Sequence, residues 1–363
     1  MDFVHLHTHS DYSILDGAIT IPRLVQRAVE LGMPAVALTD HGNMFGAIEF
    51  YQQAKKAGVK PIIGQEFYVA PGSRFKKEVS RDSGEEVAYH LILLAKDNEG
   101  YRNLMKLSSI GYTEGFYYKP RIDMEVLEKH SRGLIASSAC IAGEIPVNII
   151  KGRLKEAREL AGRYRELFGK DNFYLELQYH GIREQEISNS ELIRISSELD
   201  IPLIAANDAH YLNREDAYSH ELLLCVQTGK TMSDANRMRF ASDSFYFKTL
   251  DEMRVQFADY PDALFNTCKI ADMIDVEIEL GKPVLPHFEV PEGFDLDSYL
   301  RHLVYEGAPA LYGGDLSDKV RSRIEYELNL ITNMKFSGYF LIVWDFINYA
   351  RKKGIPVGPG RGS

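Results

Sequence analysis

The stretch "HLHTHSDYS", His5 to Ser13, places three histidines at alternate positions in a 363-residue chain that holds eleven in all. Apolar and β-branched residues alternate with polar ones from Asp2 onward. That pattern predicts a strand over 2–7 running into a turn at Ser10-Asp11. Side chains at i, i+2 and i+4 of a strand share a face, so His5, His7 and His9 are expected in one row. Buried without partners, each ring would cost about 1–3 kcal/mol, against a whole-domain stability of about 5–15 kcal/mol. Such a row is either wet or occupied, and its spacing points to metal coordination.

Similar segments recur down the chain. Runs at 34–39 (PAVALT), 61–69 (PIIGQEFYV), 89–95 (YHLILLA), 133–138 (GLIASS), 172–178 (NFYLELQ) and 202–206 (PLIAA) read as further strands. Amphipathic helical patterns separate them, at 21–32, 44–57, 98–110, 153–168 and 185–199. Seven β-then-α units with near-continuous apolar strands predict an α/β fold with a parallel sheet covered by helices. It closes most simply into a β/α barrel, with an open doubly wound sheet as the alternative. A polar loop at 71–87 interrupts the pattern. Beyond 212 the strands give way to helices at 214–227, 249–257 and 262–273. Residues 281–297 read as a Pro/Gly linker, with Asp295-Leu296-Asp297 capping a helix after it. Further helical segments are predicted at 316–334 and 339–353.

With 45% hydrophobic and 26% charged residues the chain reads as globular. No apolar run approaches the roughly 20 residues of a membrane span, and residues 1–15 lack the order of a signal peptide. Three scattered cysteines, Cys140, Cys225 and Cys268, argue against a disulfide framework and for a reducing, cytoplasmic setting. The net charge of −10 is unfavourable for free-standing nucleic-acid binding, although bound divalent metals reverse a local field. The basic cluster Arg74, Lys76 and Lys77 reads as a solvated face.

Functional groups of a parallel barrel gather at the C-terminal ends of its strands. His7 and His9 lie there, with Asp16 in the loop that follows; so do Asp40 and His41 after the second strand. Glu66 lies in the third strand, His90 begins the fourth, and Cys140 follows the fifth. Gln178 and His180 follow the sixth; Asp208 and His210 follow the seventh. Singly, each has an ordinary reading: a core histidine, a buried thiol, a turn aspartate. Together they are metal-binding residue types from separate strands. About nine ligands exceed the roughly four of one zinc and suit two or three ions, an arrangement that hydrolyses phosphate esters. His130, His220, His287 and His302 read as ordinary.

These residues resemble a known family. His7-x-His9, Asp16, His41, Glu66, His90, Cys140 and Asp208-x-His210 are similar to the nine metal ligands of the PHP (polymerase and histidinol phosphatase) domain. The flanking "HLHTHSDYSILDG", "ALTDHGNMFGAIEFY", "GFYYKPRID" and "GYFLIVWDFINYARKKGIPVGPGRGS" resemble the N-terminal part of the bacterial replicative DNA polymerase III alpha subunits. The resemblance implies a distorted seven-stranded β/α barrel over 1–280, a linker over 281–297, and over 298–363 the mostly helical, truncated start of a polymerase palm. It implies two or three Zn²⁺ or Mn²⁺ ions and a metal-dependent 3′–5′ exonuclease available for proofreading, with catalysis resting on His9, Asp208 and His210. His5, Asp40 and His180 are expected behind the ligands or beside the substrate. Gly362 and Ser363 match a pair that contacts the nucleotide triphosphate in a polymerase site needing Mg²⁺ and further carboxylates. The expected partners are primer-template DNA at its 3′ end and other replisome subunits, with no membrane. The chain reads as a fragment that cannot itself polymerise DNA. The alternatives are a free-standing phosphatase for a small phosphate ester and a docking module whose metals serve stability alone.

Overall fold

A computed structural model describes residues 3–78, 86–282 and 286–360. Its strands are β1 (Ala35–Leu38), β2 (Lys60–Val69), β3 (Tyr89–Ala95), β4 (Arg121–Ile122), β5 (Leu134–Ser137), β6 (Phe173–Leu177) and β7 (Leu203–Ala205). They form one curled sheet in the order β1-β2-β3-β5-β6-β7, with β4 against β2. The flanking helices are α1 (Ile21–Glu30), α2 (Ala47–Ala57), α3 (Asn98–Thr113), α4 (Met124–His130), α5 (Glu144–Ile150), α6 (Leu154–Phe168), α7 (Arg183–Leu199), α8 (Ala217–Thr228), α9 (Leu250–Gln256) and α10 (Pro261–Met273). Contacts divide the chain after Ile278. The later unit holds α11 (Leu296–Tyr312), α12 (Asp318–Asn333) and α13 (Ser337–Lys352).

Two expectations about the sheet are corrected. The opening segment forms no regular strand over its described residues. It runs between β1 and the end of β7, tied by single bonds: the Ala37 N–H donates to the His5 carbonyl, Thr39 to Thr8, and His9 to Ala209. Thr8 forms one parallel bridge with Ala209. The segment is nevertheless wholly buried from Phe3 to Ser10, which is why it carries strand-like composition without a ladder.

Nor is the sheet all parallel: β3 runs antiparallel to both β2 and β5. A parallel return needs a crossover, usually a helix. The connection from β2 to β3 crosses the polar loop and contains no helix among its described residues, so β3 comes back reversed. The short β4, absent from the sequence reading, supplies a parallel neighbour for β2 at Tyr68 and Val69. The reversal brings the start of β3, where His90 lies, beside the end of β2 that carries Glu66: Glu66 pairs with Ile92 and Tyr68 with His90.

Helix ends follow local chemistry. Pro22 lies in the first turn of α1, and Gly58 closes α2 in the left-handed conformation. Asp97 caps α3 by accepting from the Gly100 N–H at 2.9 Å. Arg74 is not a solvated base. It is buried and bound to Glu114, Asp123 and Glu125. In the later unit Asp295 caps α11 by accepting from the Ser298 N–H at 2.8 Å, so helix begins inside the stretch read as linker. That unit's buried apolar cluster is small, centred on Leu300, Leu328 and Leu341. Gly362 and Ser363 lie outside the described residues.

Two helical glycines test the packing. A Cβ on Gly100 would fall 1.7 Å from the Gly133 carbonyl oxygen, whereas one on Gly162 of α6 meets nothing within 4 Å. Gly162→Ala should raise stability by about 0.5–1 kcal/mol through helix propensity. Gly100→Ala should lower it by about 1–3 kcal/mol through overpacking. Urea midpoints moving in the same direction for both would contradict this packing.

Candidate metal centre

The nine residues singled out in the sequence meet on one side of the curled sheet. His41 follows β1 and is held opposite Glu66 by a parallel bridge. The Gly42 N–H donates to the Glu66 carbonyl at 2.8 Å, and the Glu66 N–H to the Asp40 carbonyl at 3.1 Å. Glu66 is fully buried. Its Oε1 lies 2.7 Å from His90 Nδ1 and 3.6 Å from His7 Nε2. Its Oε2 pairs with His41 Nδ1 and lies 3.7 Å from His9 Nε2. Asp208 Oδ1 is 3.1 Å from the Nε2 atoms of both His7 and His9. Asp16 Oδ1 is 3.4 Å from His41 Nε2, and Asp16 Oδ2 is 3.9 Å from His210 Nε2. Cys140 Sγ lies 3.6 Å from His90 Nδ1 and 4.0 Å from Glu66 Oε1. The imidazoles of His41 and His210 stack against His9, with centroids 4.0 and 4.3 Å away.

Three overlapping groups each present ligand atoms close enough to share one ion: His9, His41 and His210; His7, His9 and Glu66; His41, Glu66 and His90. Asp16 Oδ1, Glu66 Oε2, Asp208 Oδ1 and His41 Nδ1 are buried without a hydrogen bond. Buried polar atoms are normally satisfied. These four atoms of ligand type meet only one another and the neighbouring imidazoles, Glu66 Oε2 against His41 Nδ1 among them, an arrangement that fits cations.

Neighbouring bonds aim the rings. Ser13 Oγ donates to Asp40 at 2.7 Å, so toward His9 Nδ1, 3.0 Å away, it accepts. His9 is thereby held with its proton on Nδ1 and its Nε2 lone pair facing Asp208. Burial, with His41 and His210 beside it, lowers the His9 pKa to about 3, and a neutral imidazole is the ligand form. His7 Nδ1 donates to Glu176 Oε1 at 2.7 Å. Burial opposes charge on His7, but Asp208, Glu176 and Glu66 outweigh it and raise its pKa to about 10. Burial alone would raise Glu66; His90 and His41 hold it well below the usual carboxylate range. The carboxylates thus draw positive charge into the cluster. Asp208 has φ 44°, the left-handed region, a strain that recurs at functional sites.

The three residues expected behind or beside the ligands have separate places. Asp40 accepts from the Ser10 N–H at 2.7 Å and the Ser10 hydroxyl at 2.8 Å, as well as from Ser13. It holds the turn that carries Ser13. His5 is not in a row with His7 and His9: its Nε2 donates to the Lys248 carbonyl at 2.9 Å and its ring stacks on Phe247. His180 Nε2 donates to the Asn207 carbonyl at 3.0 Å, Nδ1 accepts from Gln185 at 2.7 Å, and the ring stacks on Phe245. Both ring nitrogens are spent on the scaffold.

Two residues were missed. Glu176 also accepts from Ser137 Oγ at 2.6 Å and Gln178 Nε2 at 2.7 Å. Its signal was a carboxylate inside the apolar strand "FYLEL". His220, read as ordinary, donates to the Asp16 carbonyl at 2.7 Å and fixes that loop; nothing in its helical context marked it.

Residues 5–180 match the PHP domain family, and residues 298–363 match the family described as the bacterial DNA polymerase III alpha NTPase domain. Over 363 residues the chain is 51% identical to DNA polymerase III subunit alpha of Borreliella burgdorferi, covering 99% of this chain and 31% of that protein. The chain belongs with the DNA polymerase III alpha subunits. The Treponema pallidum alpha subunit is 49% identical over 100% of this chain and 31% of its own length. The chain therefore spans about 31% of the alpha subunits it matches. A provisionally assigned metal-dependent phosphoesterase from Bifidobacterium adolescentis aligns over 57% of this chain and 87% of its own at 14% identity, TM-score 0.35. That likeness is too loose to bear on function. Among the described residues no helix is long and apolar enough to cross a membrane.

Two buried histidines outside the cluster carry a pH dependence. Burial lowers His5 and His180 each to about 4 in the folded chain, from 6.5. Between those values the unfolded chain binds more protons, so stability falls as pH drops through that window. The urea midpoint should decline from pH 6.5 toward 4, and His5→Phe should make the decline shallower. An unchanged slope in that variant would show that His5 is not held neutral.

Proposed function

We propose that the chain is the PHP-bearing part of a bacterial DNA polymerase III alpha subunit and that its cluster is a metal-dependent phosphoesterase acting as a 3′–5′ exonuclease on DNA. The observation that carries the metal assignment is the set of four buried ligand atoms that make no hydrogen bond and face only other ligand-type atoms. The proposed ligands are His7, His9, Asp16, His41, Glu66, His90, Cys140, Asp208 and His210, for two or three Zn²⁺ or Mn²⁺ ions. Bound ions would acidify a water and offset charge on the phosphoryl oxygens. Glu176 and Ser13 orient His7 and His9, and carboxylate partners of this kind raise ligand basicity. Burial and Asp208 push the Cys140 thiol well up, so it needs a cation to act as thiolate. A cavity of about 800 Å³ opens over the cluster, between Asp16, His41, His90, Asp208 and His210, and admits a nucleotide-sized group.

Kinship over both matched segments favours this reading over a free-standing phosphatase, which leaves residues 298–363 without a role. In this reading residues 1–280 are the PHP domain, 281–297 a linker and 298–363 the start of the palm. Polymerase activity, its Mg²⁺, the triphosphate contact at Gly362 and Ser363, the replisome partners and a cytoplasmic setting belong to the complete subunit.

Protein purified without chelator should hold more than one equivalent of Zn or Mn by elemental analysis; less than half an equivalent would sink the cluster. Glu176→Ala should weaken Zn²⁺ affinity by about 10–100-fold in competition with a chromogenic chelator. With Mn²⁺, Asp208→Asn and His9→Asn should each abolish removal of 3′ nucleotides from DNA while circular dichroism stays unchanged. Activity surviving both changes would assign the nuclease elsewhere, and metal bound without any nuclease would favour the docking module.

A further inference from the structure

The cavity over the metal cluster continues outward along aromatic rings that the phosphoesterase chemistry does not need. Phe45 and Tyr112 line its wall, with ring centroids 6.3 Å apart. Phe116 follows 6.2 Å beyond Tyr112, its plane tilted by 29°. Tyr118, two residues further along the chain, sits on a tight hairpin closed by the Tyr117–Lys119 bridge, beside the cavity-lining Lys119. Exposure is 62% for Phe45, 41% for Tyr112, 48% for Phe116 and 70% for Tyr118. These rings are therefore not core that happens to reach the surface.

Local bonds fix the backbone beneath two of them. Asn43 bonds the carbonyls of Tyr12 and His41 and accepts from the Phe45 N–H at 3.1 Å, fixing the loop that presents Phe45. The backbone beneath Phe116 is clamped by Arg121, which is 1% exposed and donates to the Gly115 carbonyl at 3.1 Å. A Cβ on Gly115 would fall 1.8 Å from the Arg121 carbonyl oxygen, so the approach requires glycine there. Tyr118 sits at φ 58°, an outlier for a bulky residue, and it spends that strain on presenting its ring to solvent. Lys119 is the one lysine or arginine among the described cavity-lining residues. It lies 5.0 Å from the centroid of Tyr68, whose ring meets His90 edge-on at 5.3 Å.

We infer that Phe45, Tyr112, Phe116 and Tyr118 form a stacking ladder for the unpaired bases of a single nucleic-acid strand, which leads the strand's 3′ end past Lys119 to the cluster. This rests on the phosphoesterase reading for the chemistry, but the ladder binds by itself. Base–aromatic stacking tolerates any sequence, and pre-formed rings lose little entropy on binding. Rings in series from inside the cavity to outside it serve more than one base, which sets a strand apart from a mononucleotide. A protein partner is the competing occupant. It would not require the rings to run into a cavity of metal-ligand type.

The test measures anisotropy of three 5′-fluorescein probes: a thymidine mononucleotide, and a tetranucleotide and an octanucleotide of thymidine with hydrolysis-resistant phosphorothioate links. Affinity should rise at least about fivefold from mononucleotide to tetranucleotide, the lower end of one stacked base. Phe116→Ala and Tyr118→Ala should each weaken the tetranucleotide by about fivefold or more and leave the mononucleotide unchanged. Tyr112→Phe should retain binding that Tyr112→Ala loses. Equal affinity at all lengths, or affinity unmoved by the alanine variants, overturns the ladder. So does a ring removal that shifts only the elution volume, which would mark a protein-docking face. Chelator-sensitive hydrolysis of bis(p-nitrophenyl) phosphate by the unaltered chain is measured in parallel. If hydrolysis is absent but length-dependent binding holds, the phosphoesterase reading falls and the ladder stands; the converse removes the ladder alone.

Discussion

Glu66 is a carboxylate with no exposure at all. An ionised carboxylate in such a place is tolerated only if charge and hydrogen bonds compensate it. Around it the fold gathers two more acids, Asp16 and Asp208, and five imidazoles, those of His7, His9, His41, His90 and His210. Imidazoles compensate imperfectly, because burial disfavours their own charge; His9 is pushed down to about 3. A divalent cation does what protons cannot, since one ion meets several oxygens and neutral nitrogens together. The oxygens of Asp16, Glu66 and Asp208 that make no hydrogen bond face the imidazoles, where such an ion would fit.

The geometry is fixed one bond further out. Ser13 sits between Asp40 and His9, Glu176 sits behind His7, and His220 grips the carbonyl of Asp16. None of these faces the cavity with a free atom, yet each decides which nitrogen or oxygen does. The strained backbone at Asp208 belongs to the same arrangement: the short turn between β7 and His210 turns this carboxylate toward His7 and His9.

Much of this was legible in the sequence because the ligand types stand out against apolar strands. The positions of β1, β2, β3, β5, β6 and β7 and of most helices could be read from periodicity, which also put ligand-type residues at strand ends; the set of nine came from the family resemblance. What could not be read came from pairing. The strand-like alternation of His5, His7 and His9 is real, but the segment has only a few scattered backbone bonds to its neighbours and no regular ladder, and His5 stacks on Phe247 away from the other two. The direction of β3 depends on what connects it to β2, and apolar composition is blind to direction. Two-residue β4 is too short to show a period. Glu176 was visible as a lone acid in an apolar strand, but its value lies in touching His7, a contact between residues 169 positions apart.

The charge of the chain bears on how any polyanion is held. At −10 overall, its long-range field repels nucleic acid. That field fades over about 8 Å at physiological ionic strength, so attraction has to be local. The structure offers two short-range sources near one another: a cluster of metal-ligand type, and a row of rings whose stacking does not depend on charge. A grip built this way weakens little with added salt, unlike one built on many lysine–phosphate contacts. It also favours unpaired ends, because a base locked in a duplex has no face to offer a ring.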